Sequence, residues 1–330
     1  MRRTRREFGR QAAGLGLLAG LGPATALAQA EAPWPNRPIT MLVPWGAGGS
    51  TDAFARILAG HLQPILGQPV PVENRVGANG TIGMAAAARA RPDGYTVVVA
   101  PNSTYAIAPL IYQVPYDAER AFTGVGLLAA MPIFACVHRD FPARTLAEFV
   151  ALAKQPGRRE TYANPGIGAT THLAAEWFLQ LSGAPVMEVG YRGGAPAIQA
   201  VLAREASLVL MPASAVLPMM QAGDLRALAV TTAQRSPLAP EVPTFRELGF
   251  DGYEVVEHLA MLAPAGTPPA ILRRLNAACA QALTAADTRD RYASLAVTPI
   301  VEPPEAFPAY LEKETAKWRA LVKARDIKVQ

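Results

Sequence analysis

A glycine-rich turn set between an apolar run and an amphipathic segment constrains this chain more than any other stretch. It lies within ITMLVPWGAGGSTDAFARILAGHLQPI, residues 39–65. Ile39 to Val43 has the continuous apolar character of a buried strand. Trp45 to Gly49 interrupts it, and after Ser50, Thr51 and Asp52 the apolar residues recur at helical spacing. A helix start leaves about four N–H groups without internal partners and carries roughly half a positive charge. Glycines beside it admit a ligand to the backbone, so the turn is competent to hold an anion, most simply a carboxylate.

The middle of the chain repeats this design. Glu160 to Asn164 reads as a strand, residues 165–169 as a glycine turn, and Thr170-Thr171-His172 as the start of an amphipathic helix carrying Leu173, Trp177, Phe178 and Leu181. Strands expected at 70–73, 95–100, 186–191, 207–211 and 225–231 alternate with helices, which implies parallel sheets with a ligand crevice beyond the carboxyl ends of their strands. Apolar, lightly charged segments at 126–137 and 253–262 read as strands crossing between two lobes. The helical segments at 268–283 and 304–323 are expected to pack back on the first lobe.

Residues 1–30 read as an export signal rather than as part of the fold. They hold a twin-arginine motif at Arg5-Arg6, an apolar stretch from Ala12 to Leu21, and small residues placing cleavage near Ala28 or Ala30. They also hold five of the 31 basic side chains and one of the 26 acidic ones, so the remainder is nearly neutral. The basic balance therefore belongs to the signal and gives no warrant for nucleic acid as a partner. Cys136 and Cys279 have no ligand spacing and read as separate buried thiols.

Several chemistries lack their motifs. A dinucleotide turn needs a third glycine where this chain has Thr51, and there is no GxxxxGK[ST] phosphate loop or GxSxG nucleophile elbow. His172 and Glu176 share a helix face, but His61, His138 and His258 lie on unrelated elements. A buried His172 supporting its own turn is the expectation, with no metal. Ser103 and Thr104 have two open readings, as hydroxyls facing a ligand or as caps of the following helix. Arg192 is similarly open, as a partner for a second ligand carboxylate or as a solvated charge.

WPNRPITMLVPWGAGGSTD, VENRVGANGTIG, RPDGYT, YANPGIGATTHLAAE, YRGGAPAI, AGDLRALAVTTAQRS, EVPTFRELGF and LAPAGTP resemble, in order, the landmarks of the tripartite tricarboxylate transporter receptor (Bug) family of periplasmic solute-binding proteins. The resemblance implies an α/β, two-lobed Venus-flytrap fold of the periplasmic-binding type, each lobe a mostly parallel sheet flanked by helices. Lobe 1 is expected at 31–133 and 255–330, and lobe 2 at 134–254. It implies a ligand carboxylate held between the two glycine turns, by Trp45, Gly46, Ala47, Gly48, Gly49, Ser50 and Thr51 on one side. Asn164, Gly166, Gly168, Ala169, Thr170 and Thr171 are expected on the other, with Tyr191, Arg192 and Gly193 nearby. Asp52 is expected to cap its helix rather than touch an anion. Departures from the family pattern at Trp45-Gly46, Gly190 and His258 bear on the ligand's identity. The expectation is a monomeric, exported, non-enzymatic receptor without a cofactor, passing a small carboxylate to membrane permease subunits. A sensor with a signalling partner and an α/β enzyme using the same cleft are the alternatives.

Overall fold

The computed structural model describes residues 33–328. The segment read from sequence as an export signal, residues 1–30, lies outside them. The first run of elements is β1 (Thr40–Val43), α1 (Ser50–Leu66), β2 (Val72–Asn74), α2 (Thr81–Ala88), β3 (Thr96–Pro101), a wide turn over Ser103–Ile107, α3 (Ala108–Ile111) and β4 (Phe122–His138). Next come α4 (Leu146–Ala153), β5 (Thr161–Asn164), α5 (Thr170–Ser182), β6 (Met187–Gly190), α6 (Gly194–Leu202), β7 (Leu208–Pro212), α7 (Ala213–Gln221) and β8 (Leu225–Val230). The chain closes with β9 (Val256–Pro264), α8 (Pro269–Thr284), α9 (Ala286–Ser294), β10 (Thr298–Pro299) and α10 (Phe307–Arg325).

The strands form a mixed sheet in the order β2-β1-β3-β9-β4-β7-β5-β6, with β8 and β10 also pairing β4. β1 is parallel to β2 and β3, and β5 is parallel to β6 and β7. The long strands add antiparallel pairs: β9 runs against β3 and β4, and β4 runs against β7 and β8. β4 changes partner midway. Phe122 to Pro132 pair with β9, and Ile133 to His138 with β7 or β8. Seventeen residues of strand thus serve both halves.

Local sequence explains these elements. α1 buries Phe54, Leu58, Leu62 and Leu66 along one stripe, each worth about 1.5–3 kcal/mol relative to exposure. It ends where Gly67 takes a left-handed φ of 69°. β2 begins at Val72 rather than at Val70 because Pro69 and Pro71 accept from Ile39 and Met41 but have no N–H to donate. Gly83 is required where α2 crosses the end of β1: a Cβ there would lie 2.7 Å from the Arg75 carbonyl oxygen and 2.8 Å from Pro44.

The C-terminal segments do not all pack as the sequence suggested. α8 joins the first core through Leu272, Leu275 and Cys279. α10, however, buries Trp318 and Leu321 in a cluster with Phe149, Phe178 and Tyr253, and Arg325 pairs with Glu176 of α5 at 2.6 Å. It therefore spans both halves, its indole and arginine being the groups that reach the second. Cys136 and Cys279 are free and buried, as expected. Among the described residues no helix is long and apolar enough to cross a membrane.

Candidate functional site

A cavity of about 780 Å³ lies where the two glycine turns face each other. Four helix starts line it: Gly49 to Thr51 of α1, Ala169 to Thr171 of α5, Gly193 and Gly194 of α6, and Pro212, Ser214 and Ala215 of α7. None of the four carries a side-chain cap. Each contributes roughly half a positive charge and free N–H groups. The wall contains no Lys, Arg or His, and its one carboxyl group is Glu257.

The first turn is shaped from behind by Asp52. Its carboxylate accepts from the Gly48 N–H at 2.8 Å, the Arg56 guanidinium at 2.9 Å and the Asn74 amide at 2.8 Å. Burial opposes ionisation, yet these donors together hold Asp52 below the usual carboxylate range. As the third residue of α1 it reaches back to the Gly48 N–H, outside the helix, so it shapes the turn and leaves the helix start uncapped, contrary to the expectation that it would cap α1. Trp45 lines the cavity, and its indole N–H donates to Thr104 Oγ1 at 2.9 Å. Thr104 in turn donates to the Asn79 carbonyl at 3.2 Å. Trp45 is thus a fixed wall, with Thr104 buried behind it.

The second turn is tied to the first half of the chain. Asn79 Nδ2 donates to the Gly168 carbonyl at 3.2 Å, and Tyr112 donates to the Ile167 carbonyl at 3.0 Å. Thr170 donates to Asn102 Oδ1 at 2.9 Å. Asn102 is itself held by its amide donating to Glu314 of α10 at 2.9 Å. Thr171 Oγ1 is buried and has no hydrogen-bond partner among the described residues, although Thr171 lines the cavity. Gly168 needs its φ of 82° to complete the turn.

Of the positions expected from sequence, Trp45, Gly46, Ala47, Gly48, Gly49, Ser50, Thr51, Ser103, Gly166, Ala169, Thr170, Thr171 and Gly193 line the cavity. Thr104, Asn164, Gly168, Tyr191 and Arg192 do not. Asn164 Oδ1 accepts from the Gly166 N–H at 2.9 Å and so forms the turn from beneath. Tyr191 packs on an apolar cluster, and Arg192 is exposed outside the wall. His258 faces away too: its Nδ1 lies 3.1 Å from the Tyr310 hydroxyl, and burial pushes its pKa down to about 4. Gly190 is likewise absent from the wall.

Sequence reasoning missed Asn79, Tyr112, Met211, Ser214, Glu257 and Leu295. Asn79 and Ser214 follow the rule applied to their neighbours, since each lies in a loop or helix start just after a sheet strand. Glu257 had a signal as well, as an acid inside the apolar crossover segment.

His172, Glu176 and Glu188 place one donor atom each within 4.8 Å of one another. Their atoms are taken up by protein partners, His172 Nε2 facing Glu188 at 3.7 Å. His172 Nδ1 accepts from the Gly168 N–H at 3.2 Å, Glu176 takes Tyr162 at 2.6 Å and Arg325, and Glu188 takes Asn164 at 2.6 Å. The His172 side chain above all holds Glu188 below its usual pKa. This is the buried support for the turn that the sequence suggested.

A cleft of this kind, made by helix starts on an α/β fold shared between two halves, defines a solute-receptor class. Residues 54–327 match the family described as tripartite tricarboxylate transporter family receptor, and the chain belongs to that family. BugT of Bordetella pertussis is 33% identical over 321 residues, covering 95% of this chain and 98% of that protein. The solved periplasmic binding protein BugD is 33% identical with a TM-score of 0.78, covering 90% of this chain and all of that one. Rpa4515 of R. palustris, solved with adipate, is 32% identical with a TM-score of 0.81 and the same coverage.

Proposed function

We propose that this chain is an exported receptor that captures a small carboxylate in the cleft and delivers it to the membrane permease of a tripartite tricarboxylate-type transporter. The observation carrying the reading is the convergence of four uncapped helix starts on one cavity without a Lys or Arg in its wall. Backbone N–H groups and hydroxyls supply the anion recognition. The adipate of the R. palustris relative supports the ligand class. The two halves act as lobes hinged at β4 and β9, with α10 bridging them, and closure buries the ligand. Residues 1–30 direct twin-arginine export to the periplasm, and the mature receptor acts as a monomer without catalysis.

A carboxylate panel followed by thermal unfolding tests this reading. A ligand at 100 times its Kd adds about 2.7 kcal/mol of stability. Stabilisation by none of the panel, or catalytic turnover of a ligand, overturns it.

A further inference from the structure

Glu257 is the outlier of the cavity. It sits on β9 opposite Met131 of β4. Side chains alternate along a strand, so Glu257 shares a face with Leu259 and Met261, which are buried beneath α1 and α8. The apolar packing of that face ends at the cavity, and there Glu257 lines the wall beside Leu295. Half-buried at the cavity wall, it makes no hydrogen bond or ion pair to any described residue, so nothing in the protein pairs its carboxylate. A second carboxylate placed against it would bring two like charges together in a cavity with no cationic side chain.

We propose that Glu257 selects an aminocarboxylate, whose ammonium group pairs with Glu257 while its carboxylate occupies the helix starts; this rests on the carboxylate reading above. Thr171 adds a hydroxyl without a partner at the same helix start; its oxygen is covered in this conformation and becomes a donor for the carboxylate end once closure turns it to the ligand. Burial pushes the Glu257 carboxyl up to about 7. An ammonium group reverses that shift, so binding near neutral pH expels the proton. The neighbouring ionisable groups leave this proton change to Glu257. Burial raises the pKa of Tyr112 in the wall. Across β9, burial also raises that of Tyr105 and lowers His258 to about 4, so all three are neutral at pH 7.

The test is calorimetry with four matched probes: 5-aminopentanoate and norvaline against pentanoate and glutarate, on the wild type and on Glu257→Gln. The wild type is expected to bind an aminocarboxylate at least about tenfold tighter than pentanoate or glutarate. At pH 7, titrations in buffers of different ionisation enthalpy should show net proton release. Glu257→Gln should lose about tenfold or more for the aminocarboxylate and hold pentanoate within about threefold. Preference for glutarate with proton uptake overturns the proposal, as does an unchanged aminocarboxylate affinity in Glu257→Gln; in both cases the carboxylate reading survives. If the wild type binds no carboxylate of any chemistry, the carboxylate reading falls and takes this one with it. If Glu257→Gln fails to fold, the sign of the wild-type proton exchange decides.

Discussion

Replacing Thr171 with Val separates ligand recognition from structural support. Thr171 is the second residue of α5, is 5% exposed, and its hydroxyl lacks a partner among the described residues. A buried polar group in that condition costs about 1–3 kcal/mol in the unliganded protein. Valine has nearly the same shape without that cost, so urea unfolding of Thr171→Val should give stability unchanged or raised by up to about that amount. Affinity should move oppositely. A charge-assisted hydrogen bond to a carboxylate is worth about 1.5–3 kcal/mol, so its loss weakens binding roughly 10- to 150-fold by calorimetry. Thr170→Val is the control, because it removes a bond to Asn102 and should destabilise by about 1–3 kcal/mol. A destabilised Thr171→Val with unchanged affinity would refute the assignment of this hydroxyl to the ligand.

Gly168→Val should remain soluble, lose about 1–2 kcal/mol to its left-handed backbone and, by distorting the turn that presents Ala169 to Thr171, bind carboxylates more weakly although Gly168 itself is outside the wall; unchanged affinity by calorimetry would show that this turn does not position the anion. Arg192→Ala should leave affinity within about twofold, since Arg192 lies outside the wall; a larger loss would show it reaching the ligand. Asp52 has a lowered folded pKa, so its contribution to stability is present above the unfolded carboxylate value and is lost as pH falls through the folded value. The stability difference between wild type and Asp52→Asn, measured by urea unfolding across pH, should therefore be constant near neutrality and shrink below about pH 4. Lysines in place of Arg5 and Arg6 should block export, read as loss of periplasmic accumulation.

The elements that position the cleft were legible because their signals are local. The run TMLV, its glycine turn and the stripe from Phe54 to Leu66 specify β1 and α1 within one stretch of chain, and residues 161–182 do the same for β5 and α5. The side-chain directions at the cleft were less legible, because they depend on long-range pairing. Thr104 and Ser103 are adjacent, yet one is drawn behind Trp45 by its hydrogen bond and the other reaches the cavity. The parity of β9 turns Glu257 inward and His258 away, and that parity follows from the register with β4. α10 shows the same limit. Its apolar pattern announced a helix, but only the tertiary fold brings Trp318 into the second half's core and Glu314 to Asn102.

The most direct measurement is an amide NMR titration of isotope-labelled protein with the tightest carboxylate found in the panel. The account predicts that the largest shifts fall on the backbone N–H groups of Ser50, Thr51, Thr170 and Thr171, at the starts of α1 and α5. Saturating binding that leaves those four amides unmoved, with shifts concentrated elsewhere, would contradict the claim that the helix starts hold the anion.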